Sequence, residues 1–289
     1  MNYEDRLSIG EHFADANGIR INYYVSGEGP ICLIPSPGWG VDVRYLRTLA
    51  PFEKYFTVVY YNTRLSGGST GPDDPEKYTD QDMITDLDAI REYFMQSKVW
   101  LAGHAGSGHL VLNYALQYGE HVNGVIVIDP ASGADDDLAR QEFQNAVFKR
   151  KNEPFFEKGR AVLFREDKIE RSLAEKVFLI MPFYFKDIRN MDLFPKVTSF
   201  NEKAFYYTRQ SKLHTTNLLP QLNKIYVPVL VFAAADDFYY GPEAHAKRIH
   251  QHIPSAQLVV INDAGHFPWI EQPAEFFNAF TSWIKRQGL

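Results

Sequence analysis

Cysteine is almost absent from this chain, because Cys32 is the only one among 289 residues. A single cysteine can form neither an intrachain disulfide nor a multi-cysteine metal site, and we expect it to be a buried apolar residue. Positive charge is not in excess either: 30 lysines and arginines stand against 36 acidic residues, giving a net charge of −6. The chain therefore has no long-range attraction for phosphate backbones or anionic lipids, and we expect neither a nucleic acid nor a membrane as its partner.

The first residues lack the apolar stretch of a signal peptide or of a membrane-spanning helix. Residues Met1–Arg6 are polar and acidic, and no apolar run follows them. We therefore expect a cytoplasmic protein. Internal repeats are also absent, whereas 45% of the residues are hydrophobic and 15% are aromatic. This composition predicts a globular chain with a large buried core.

Short apolar runs that alternate with helical patterns indicate an α/β fold. Two segments joined by Asn17-Gly18, Glu11–Ala16 and Ile19–Val25, predict a hairpin. Thr79 opens a predicted helix that runs to about Gln96, and Pro273 opens the last helix. The predicted strands buried on both faces are Ile31–Pro35, Phe56–Tyr61, Val99–Gly103, Val125–Asp129, Val229–Ala234 and Leu258–Ile261. Together these elements predict a mostly parallel sheet flanked by helices.

Residues 131–226 interrupt this alternation. They contain no clear buried strand and interleave charged residues with aromatic ones. We interpret them as a helical lid inserted after the sixth strand, while residues 1–130 and 227–289 form the core domain. Such a lid would cover the carboxyl ends of the strands, where ligands bind, with apolar walls that restrict water. The candidate substrate-binding residues are Trp39, Phe143, Phe148, Phe178, Phe183, Tyr206 and Tyr207.

A sharp turn between a strand and a helix is predicted within Trp100–Gly108. The pattern small-x-nucleophile-x-small fits this segment, with Gly103 and Ser107 as the small flanks. Small flanks are needed because the backbone of such a turn is strained and bulkier neighbours would collide with it. The central position holds Ala105, which cannot attack a substrate. Ser107 is a weaker candidate nucleophile, because its own second flank would be His109.

Four motifs together resemble the α/β-hydrolase superfamily over nearly the whole chain. They are the turn around Ala105, the stretch Tyr60–Ser69, the strand Val227–Phe232 and the loop Ala264–Pro273. In the second motif, Leu65 replaces a glycine that is usual in the family. The resemblance implies an α/β-hydrolase fold and catalysis by a nucleophile, an acid and a histidine.

The order of the candidate residues along the chain agrees with this resemblance. Ala105 occupies the nucleophile position and is followed by Asp237 and His266, in the order nucleophile, acid, histidine. The imidazole would take the proton of a nucleophilic hydroxyl, and the carboxylate would hold that imidazole in the required tautomer. Asp129, which follows the preceding predicted strand, and then Asp236 are the alternative acids.

Two backbone N–H groups are candidates for the oxyanion hole. Gly106 follows the nucleophile position, and Trp39 lies in the loop Pro35–Gly40 after the first parallel strand. A second alignment of that loop places Pro37 at the donor position, but proline has no N–H group. Trp39 is also a candidate wall of the pocket.

The remaining histidines belong to no motif, and we predict neither a metal site nor a cofactor. We expect His104 to support the turn by packing. His245, His250 and His252 should face water on a helix after Pro242. The others should lie at the surface or in satisfied core positions, namely His12, His109, His121 and His214.

The alanine at position 105 has two explanations. Either an engineered substitution placed alanine where the nucleophile stood, or the chain descends naturally from an enzyme, has lost its chemistry and only binds a ligand. We favour the first, because the acid, the histidine loop and the oxyanion loop are all retained. We favour serine as the missing residue, because relatives with an aspartate nucleophile, such as dehalogenases and epoxide hydrolases, usually carry a bulky residue where this chain has Gly106.

These features predict a serine hydrolase that acts on a small molecule through an acyl-enzyme. The Arg64 stretch and Pro75–Thr79 look most like the proline-iminopeptidase branch, which removes N-terminal residues from peptides. The insertion of that branch typically carries a Trp-Glu element that binds the free ammonium, but here it has no tryptophan, and Glu202 is the possible acid. An aromatic lid without a clear ammonium anchor favours an uncharged, partly apolar ester, lactone or amide. An aminopeptidase and a non-catalytic binding protein are the alternatives, and the oligomeric state is left open.

Overall fold

Eight strands form one sheet in the computed structural model, which describes residues 3–196 and 198–289. The strands are β1 (Gly10–Ala16), β2 (Ile19–Ser26), β3 (Ile31–Pro35), β4 (Thr57–Tyr61), β5 (Val99–His104), β6 (Val122–Ile128), β7 (Val229–Ala234) and β8 (Ala256–Ile261). Their order in the sheet is β1-β2-β4-β3-β5-β6-β7-β8. The β1–β2 and β2–β4 pairs are antiparallel, and the other pairs are parallel. The predicted mostly parallel sheet is therefore confirmed.

Helices cover both faces of this sheet and fill the long segment between β6 and β7. They are α1 (Tyr3–Arg6), α2 (Asp80–Tyr93), α3 (Gly106–Gln117), α4 (Asp137–Phe148), α5 (Phe156–Leu163), α6 (Leu173–Ile180), α7 (Glu202–Gln210), α8 (Ala246–His252), α9 (Pro268–Glu271) and α10 (Pro273–Arg286). Short 3₁₀ helices lie at Val43–Lys54, Pro75–Lys77, Gly119–His121, Met181–Tyr184, Ile188–Leu193 and Leu219–Lys224. None of the helices in the described part of the chain is long and apolar enough to cross a membrane.

Local sequence signals account for several element boundaries. Asn17 and Gly18 have φ values of 49° and 73°, which is the positive-φ pair that a tight hairpin turn requires. The hydroxyl of Thr79 accepts a hydrogen bond from the Asp82 N–H while the Asp82 carboxylate accepts one from Thr79, so the predicted capping box opens α2. That helix ends at Tyr93, about one turn earlier than the sequence predicts.

Side chains of the central strands alternate between two apolar layers. Leu101 of β5 packs in the layer beneath α2 and α3, and the next residue, Ala102, packs in the layer beneath α10. Because both faces are covered, the strands are apolar at nearly every position, which is why they appear in the sequence as continuous runs. Cys32 of β3 is fully buried in the second layer, as predicted.

The segment 131–226 contains α4 to α7 and no strand among its described residues. Among the described residues, an isolated antiparallel bridge between Val41 and Phe200 links this segment to the loop after β3. A separate apolar cluster joins α4 and α5 to the loop after β7, through Val147, Phe156 and Phe183 packed with Phe238. The helical character is as predicted, and the assignment of this segment as a lid domain remains a prediction.

A buried ion pair anchors the loop that supports the site. The guanidinium of Arg64 donates two hydrogen bonds to Asp86 of α2, from Nε at 2.5 Å and from Nη2 at 2.9 Å. Burial raises the pKa of Asp86, and Arg64 opposes that rise. The neighbouring Thr63 donates its N–H to the Ser36 hydroxyl at 3.0 Å, and Ser36 begins the loop that carries Trp39. Leu65 adopts φ 55°, so the leucine takes a conformation more typical of glycine.

We expect Arg64→Met to lower the free energy of unfolding by about 3 kcal/mol, because it leaves the buried Asp86 carboxylate without its cation. Arg140→Met is the matched control, because Arg140 is half exposed and pairs with exposed Asp135 and Asp137. It should cost less than about 1 kcal/mol. Urea unfolding monitored by tryptophan fluorescence measures both values, and equal losses would contradict the assigned role of the Arg64–Asp86 pair.

Candidate active site

The predicted turn between β5 and α3 is present and is centred on Ala105. Its φ and ψ are 55° and −119°, a region that non-glycine residues rarely occupy. Two hydrogen bonds to the segment around the end of β6 hold this conformation: the Ala105 N–H donates to the Ile128 carbonyl at 3.0 Å, and the Ala105 carbonyl accepts from the Ala131 N–H at 3.1 Å. The strained backbone is therefore fixed by the neighbouring strand, as a nucleophile turn requires.

Close packing around the turn explains the small residues in its sequence. A Cβ atom on Gly103 would lie 2.3 Å from the Ser107 carbonyl oxygen, and one on Gly108 would lie 2.8 Å from the Pro130 Cβ. The Ser107 hydroxyl donates to the His104 carbonyl and accepts from the His104 N–H, both at 2.9 Å. Because both bonds hold this buried hydroxyl against the turn, Ser107 is not placed to act as a nucleophile.

The structure brings Asp237 and His266 together. The Asp237 Oδ2 atom lies 2.9 Å from His266 Nδ1, and the two residues are only 2% and 4% exposed. The other carboxylate oxygen of Asp237 accepts the Tyr239 N–H at 2.9 Å, and the His266 N–H donates to the Tyr184 carbonyl at 2.8 Å. With Nδ1 donating to the carboxylate, Nε2 is the nitrogen of His266 that is left to accept a proton.

The two alternative acids are placed differently. Asp236 forms an ion pair with Lys186 at 2.8 Å, on the partly exposed side of the loop. Asp129 is 1% exposed, and one of its oxygens accepts the Ala234 N–H at 2.6 Å. Burial, reinforced by the nearby Asp237, raises the pKa of Asp129 well above its usual value. Asp129 is therefore a buried neighbour whose protonated form is favoured by its surroundings, and Asp237 is the acid hydrogen-bonded to the imidazole.

His104 connects the turn to the histidine loop by hydrogen bonds in addition to the expected packing. Its Nε2 donates to the His266 carbonyl at 2.8 Å, so its Nδ1 accepts the Tyr45 hydroxyl at 2.9 Å. Burial, aided by the nearby His266, holds the pKa of His104 well below its usual value. Because the ring of His104 is neutral and both of its nitrogens form hydrogen bonds, His104 is a positioning residue.

The two candidate N–H donors of the oxyanion hole lie at the start of α3 and in the loop after β3. Gly106 is the first residue of α3, so its N–H has no acceptor within the helix. Trp39 is half-buried in the loop after β3, and its ring stacks on Phe200 at 5.8 Å and meets Phe205 edge-on at 6.4 Å. Trp39 therefore also contacts the segment predicted to be a lid, which is the position of a pocket wall.

The aromatic residues predicted to bind substrate separate into two groups. Phe143 and Phe183 pack against Phe238, the residue after Asp237, with ring centroids 6.1 and 5.7 Å apart. Apart from Trp39, the structure does not bring the other predicted residues to the site. Phe178, Tyr206 and Phe148 are 72%, 54% and 47% exposed, and the Tyr207 hydroxyl donates to Asp73. Phe178 and Tyr206 therefore face solvent, and the phase of the helices that carry them could not be read from the sequence.

Three tyrosines surround His266. The ring centroids of Tyr184, Tyr239 and Tyr240 lie 5.1, 6.5 and 6.0 Å from the imidazole. Burial raises the pKa of Tyr184 and Tyr240, so both hydroxyls stay protonated. Sequence reasoning missed Tyr239 and Tyr240. Both follow the predicted acid Asp237 closely in the sequence, and this proximity could have indicated that they lie near the site.

A charged groove borders the acid from outside. It has a volume of about 550 Å³ and lies between α4 and the loop after β7. It reaches Asp237, and half of its sixteen lining residues are charged, among them Glu142, Lys149, Arg150, Glu153, Lys186 and Glu243. The expected apolar walls are therefore only partly present in this groove, through residues such as Leu138, Phe183 and Phe238, because the polar face of α4 is also turned toward it. The aromatic walls lie on the His266 side.

Three of the histidine predictions are wrong, namely those for His245, for His109 and for His214, whose buried Nδ1 atom has no hydrogen-bond partner. His245 is 7% exposed and precedes α8, and its Nδ1 accepts the Ser132 hydroxyl at 2.9 Å. Burial lowers the pKa of His245 to about 4, so the ring is neutral and does not face water. His109 is buried, but neither ring nitrogen has a hydrogen-bond partner, so it is not in a satisfied core position.

Comparison with known proteins supports the fold and gives its family. Residues 37–273 match the family model described as alpha/beta hydrolase fold. A proline iminopeptidase of Lactobacillus acidophilus is 24% identical, with 92% of this chain and 95% of that protein aligned. The 3-oxoadipate enol-lactonase 2 of Acinetobacter baylyi is 26% identical, with 95% and 98% aligned.

A solved structure gives the same result for the architecture. The alpha/beta fold family hydrolase from Bacillus anthracis superimposes with a TM-score of 0.75 at 19% identity, covering 96% of this chain and 98% of that one. The matched family model spans most of the chain and includes the Ala105 turn, Asp237 and His266. The protein therefore belongs to the α/β-hydrolase fold family and is similar to its hydrolases.

Proposed function

We propose that the chain is a serine hydrolase of small, uncharged esters, lactones or amides in which alanine stands at the position of the nucleophile. The observation that carries this proposal is the buried Asp237–His266 hydrogen bond. It accompanies a strained turn at Ala105, whose small neighbours and fixed backbone have no role unless that position reacts or binds closely. His104 ties the turn to the backbone of His266, so the parts form one unit.

With serine at position 105, the geometry supports acyl transfer. The hydroxyl attacks the substrate carbonyl while His266 Nε2 takes its proton, and Asp237 stabilises the imidazolium that forms. The N–H groups of Gly106 and Trp39 are the donors for the negative charge on the tetrahedral oxygen. His266 then protonates the leaving group, and a water molecule activated by the same nitrogen releases the acyl group. Alanine at position 105 removes the first step and leaves the binding residues in place.

The preference for an uncharged substrate rests on Glu202. Its carboxylate accepts the Leu173 N–H at 2.6 Å, from an exposed position at the start of α7. This acid therefore links two helices and is not directed at the site as an ammonium anchor. The similarity to an enol-lactonase agrees with a ring or chain ester as substrate.

An aminopeptidase is the second candidate. Several proline iminopeptidases align with most of this chain at identities of 21–24%. Their similarity supports a peptide substrate with a free amino terminus, provided that an acid other than Glu202 binds the ammonium.

We expect Ala105→Ser to create turnover of short p-nitrophenyl esters, because it supplies the missing nucleophile beside an intact base. In that background, Asp237→Asn should lower kcat by about 10⁴-fold and His266→Gln by at least about 10³-fold. The unaltered chain, which keeps Ser107, is the control and should give only the background rate. A folded Ala105→Ser protein without turnover would instead support a natural binding protein.

A second experiment distinguishes the substrate classes. The Ala105→Ser protein is given prolyl p-nitroanilide and its N-acetylated form, in which the acetyl group removes the positive charge of the amino terminus. The ester, lactone or amide hydrolase should show no preference for the free amine, because Glu202 is engaged elsewhere. A preference of tenfold or more in kcat/KM for the free amine would favour the aminopeptidase.

A further inference from the structure

Three chemically active side chains meet behind the oxyanion loop, outside the proposed catalytic residues. Asp80 is the first residue of α2, His109 lies in the first turn of α3, and His214 follows α7. Each offers a donor atom, and these atoms lie within 4.8 Å of one another. One Asp80 oxygen is 3.5 Å from His109 Nε2, and the other is 3.4 Å from His214 Nδ1.

The hydrogen bonding of this cluster is incomplete. His109 is fully buried, and neither of its ring nitrogens has a hydrogen-bond partner; the same is true of His214 Nδ1. Buried polar atoms in folded proteins are nearly always paired, because an unpaired one loses its hydration without compensation. Three unpaired ring nitrogens next to one carboxylate therefore point to a missing partner.

The tautomer of His214 identifies the kind of partner. His214 Nε2 donates its proton to the Pro37 carbonyl at 2.7 Å. In the neutral ring, Nδ1 then carries a lone pair that faces a carboxylate oxygen, which repels it. His109 likewise has two unpaired ring nitrogens, and its Nε2 atom lies 3.5 Å from the other carboxylate oxygen of Asp80. A cation placed among the three groups would accept all of these lone pairs.

The spacing fits a small transition metal. Tetrahedral zinc with nitrogen and oxygen ligands about 2.0–2.2 Å away places neighbouring donors roughly 3.3–3.5 Å apart. The two separations of 3.4 and 3.5 Å match this value and exceed a normal hydrogen bond. Two further hydrogen bonds orient the Asp80 carboxylate. Its oxygens accept the backbone N–H of His214 and the hydroxyl of Thr216, both at 3.0 Å.

We propose that Asp80, His109 and His214 bind one zinc-type divalent transition-metal ion, with a water molecule as the remaining ligand. Two imidazoles and one carboxylate suit zinc, cobalt or nickel, whereas magnesium and calcium prefer a shell of oxygen ligands. The ion joins α2, α3 and the end of the segment between β6 and β7.

The position of the ion indicates a structural role. The opposite edge of the His214 ring faces the oxyanion loop: a Cβ on Gly106 would lie 2.6 Å from His214 Cδ2, and one on Gly38 would lie 3.3 Å from Nε2. The ion on the Nδ1 side therefore fixes the ring that in turn holds the Pro37 carbonyl. It stabilises the wall of the site without contacting Ala105, so binding does not depend on the residue at position 105.

The test uses the chain with alanine at position 105, stripped of metal by a chelator and then titrated with Zn²⁺ or Co²⁺. We expect one ion per chain by calorimetry and the visible absorption bands of tetrahedral cobalt. The melting temperature should rise by about 5 °C when free Zn²⁺ is a hundredfold above the dissociation constant.

Variants assign the ion to the cluster. Asp80→Asn and His109→Gln should each weaken Zn²⁺ binding by tenfold or more, whereas His252→Gln, which removes an exposed histidine on α8, should leave it unchanged. If a variant does not fold, the cobalt spectrum of the unaltered chain still tests the proposal, because it reports the coordination geometry of the ion and its imidazole ligands. Absence of saturable binding, a six-coordinate cobalt spectrum, or undiminished binding by the folded variants would overturn the proposal.

Discussion

The strained backbone at Ala105 is the constraint on which the site depends. A residue with φ 55° at the end of a strand is stable only where its surroundings hold it, and here the Ile128 carbonyl and the Ala131 N–H do so. Both come from the neighbouring strand β6 and the loop after it. The parallel β5–β6 register therefore positions the turn, and the small flanks are a consequence of the close approach that this register imposes.

The remaining parts of the site are joined to this turn by a short chain of buried hydrogen bonds. His104 links the turn to the carbonyl of His266, and His266 is linked to Asp237. Burial lowers the pKa of His104 and raises that of Asp129, so it disfavours the charged form of both groups beside the pair. The Asp237–His266 pair therefore supplies the ionisable groups of the proposed reaction.

Sequence reasoning succeeded where local signals decide the outcome. The bounds of β3 and β7, the Asn17-Gly18 hairpin and the Thr79 cap follow from continuous apolar runs and from turn chemistry. It failed where helix phase or distant contacts decide. Phe178 and Tyr206 are exposed, and the phase of the short helices that carry them depends on packing against distant segments. The contact between His109 and His214 joins positions 105 residues apart, and no local pattern indicates it.

The most direct test of the account is the chemistry of position 105 itself. The Ala105→Ser protein is treated with a fluorophosphonate, and the intact mass and the modified residue are determined by mass spectrometry. The account predicts one adduct per chain on Ser at position 105, lost when His266 is replaced by glutamine and absent from the chain with alanine. A folded Ala105→Ser protein that forms no adduct, or an adduct on Ser107, would contradict it.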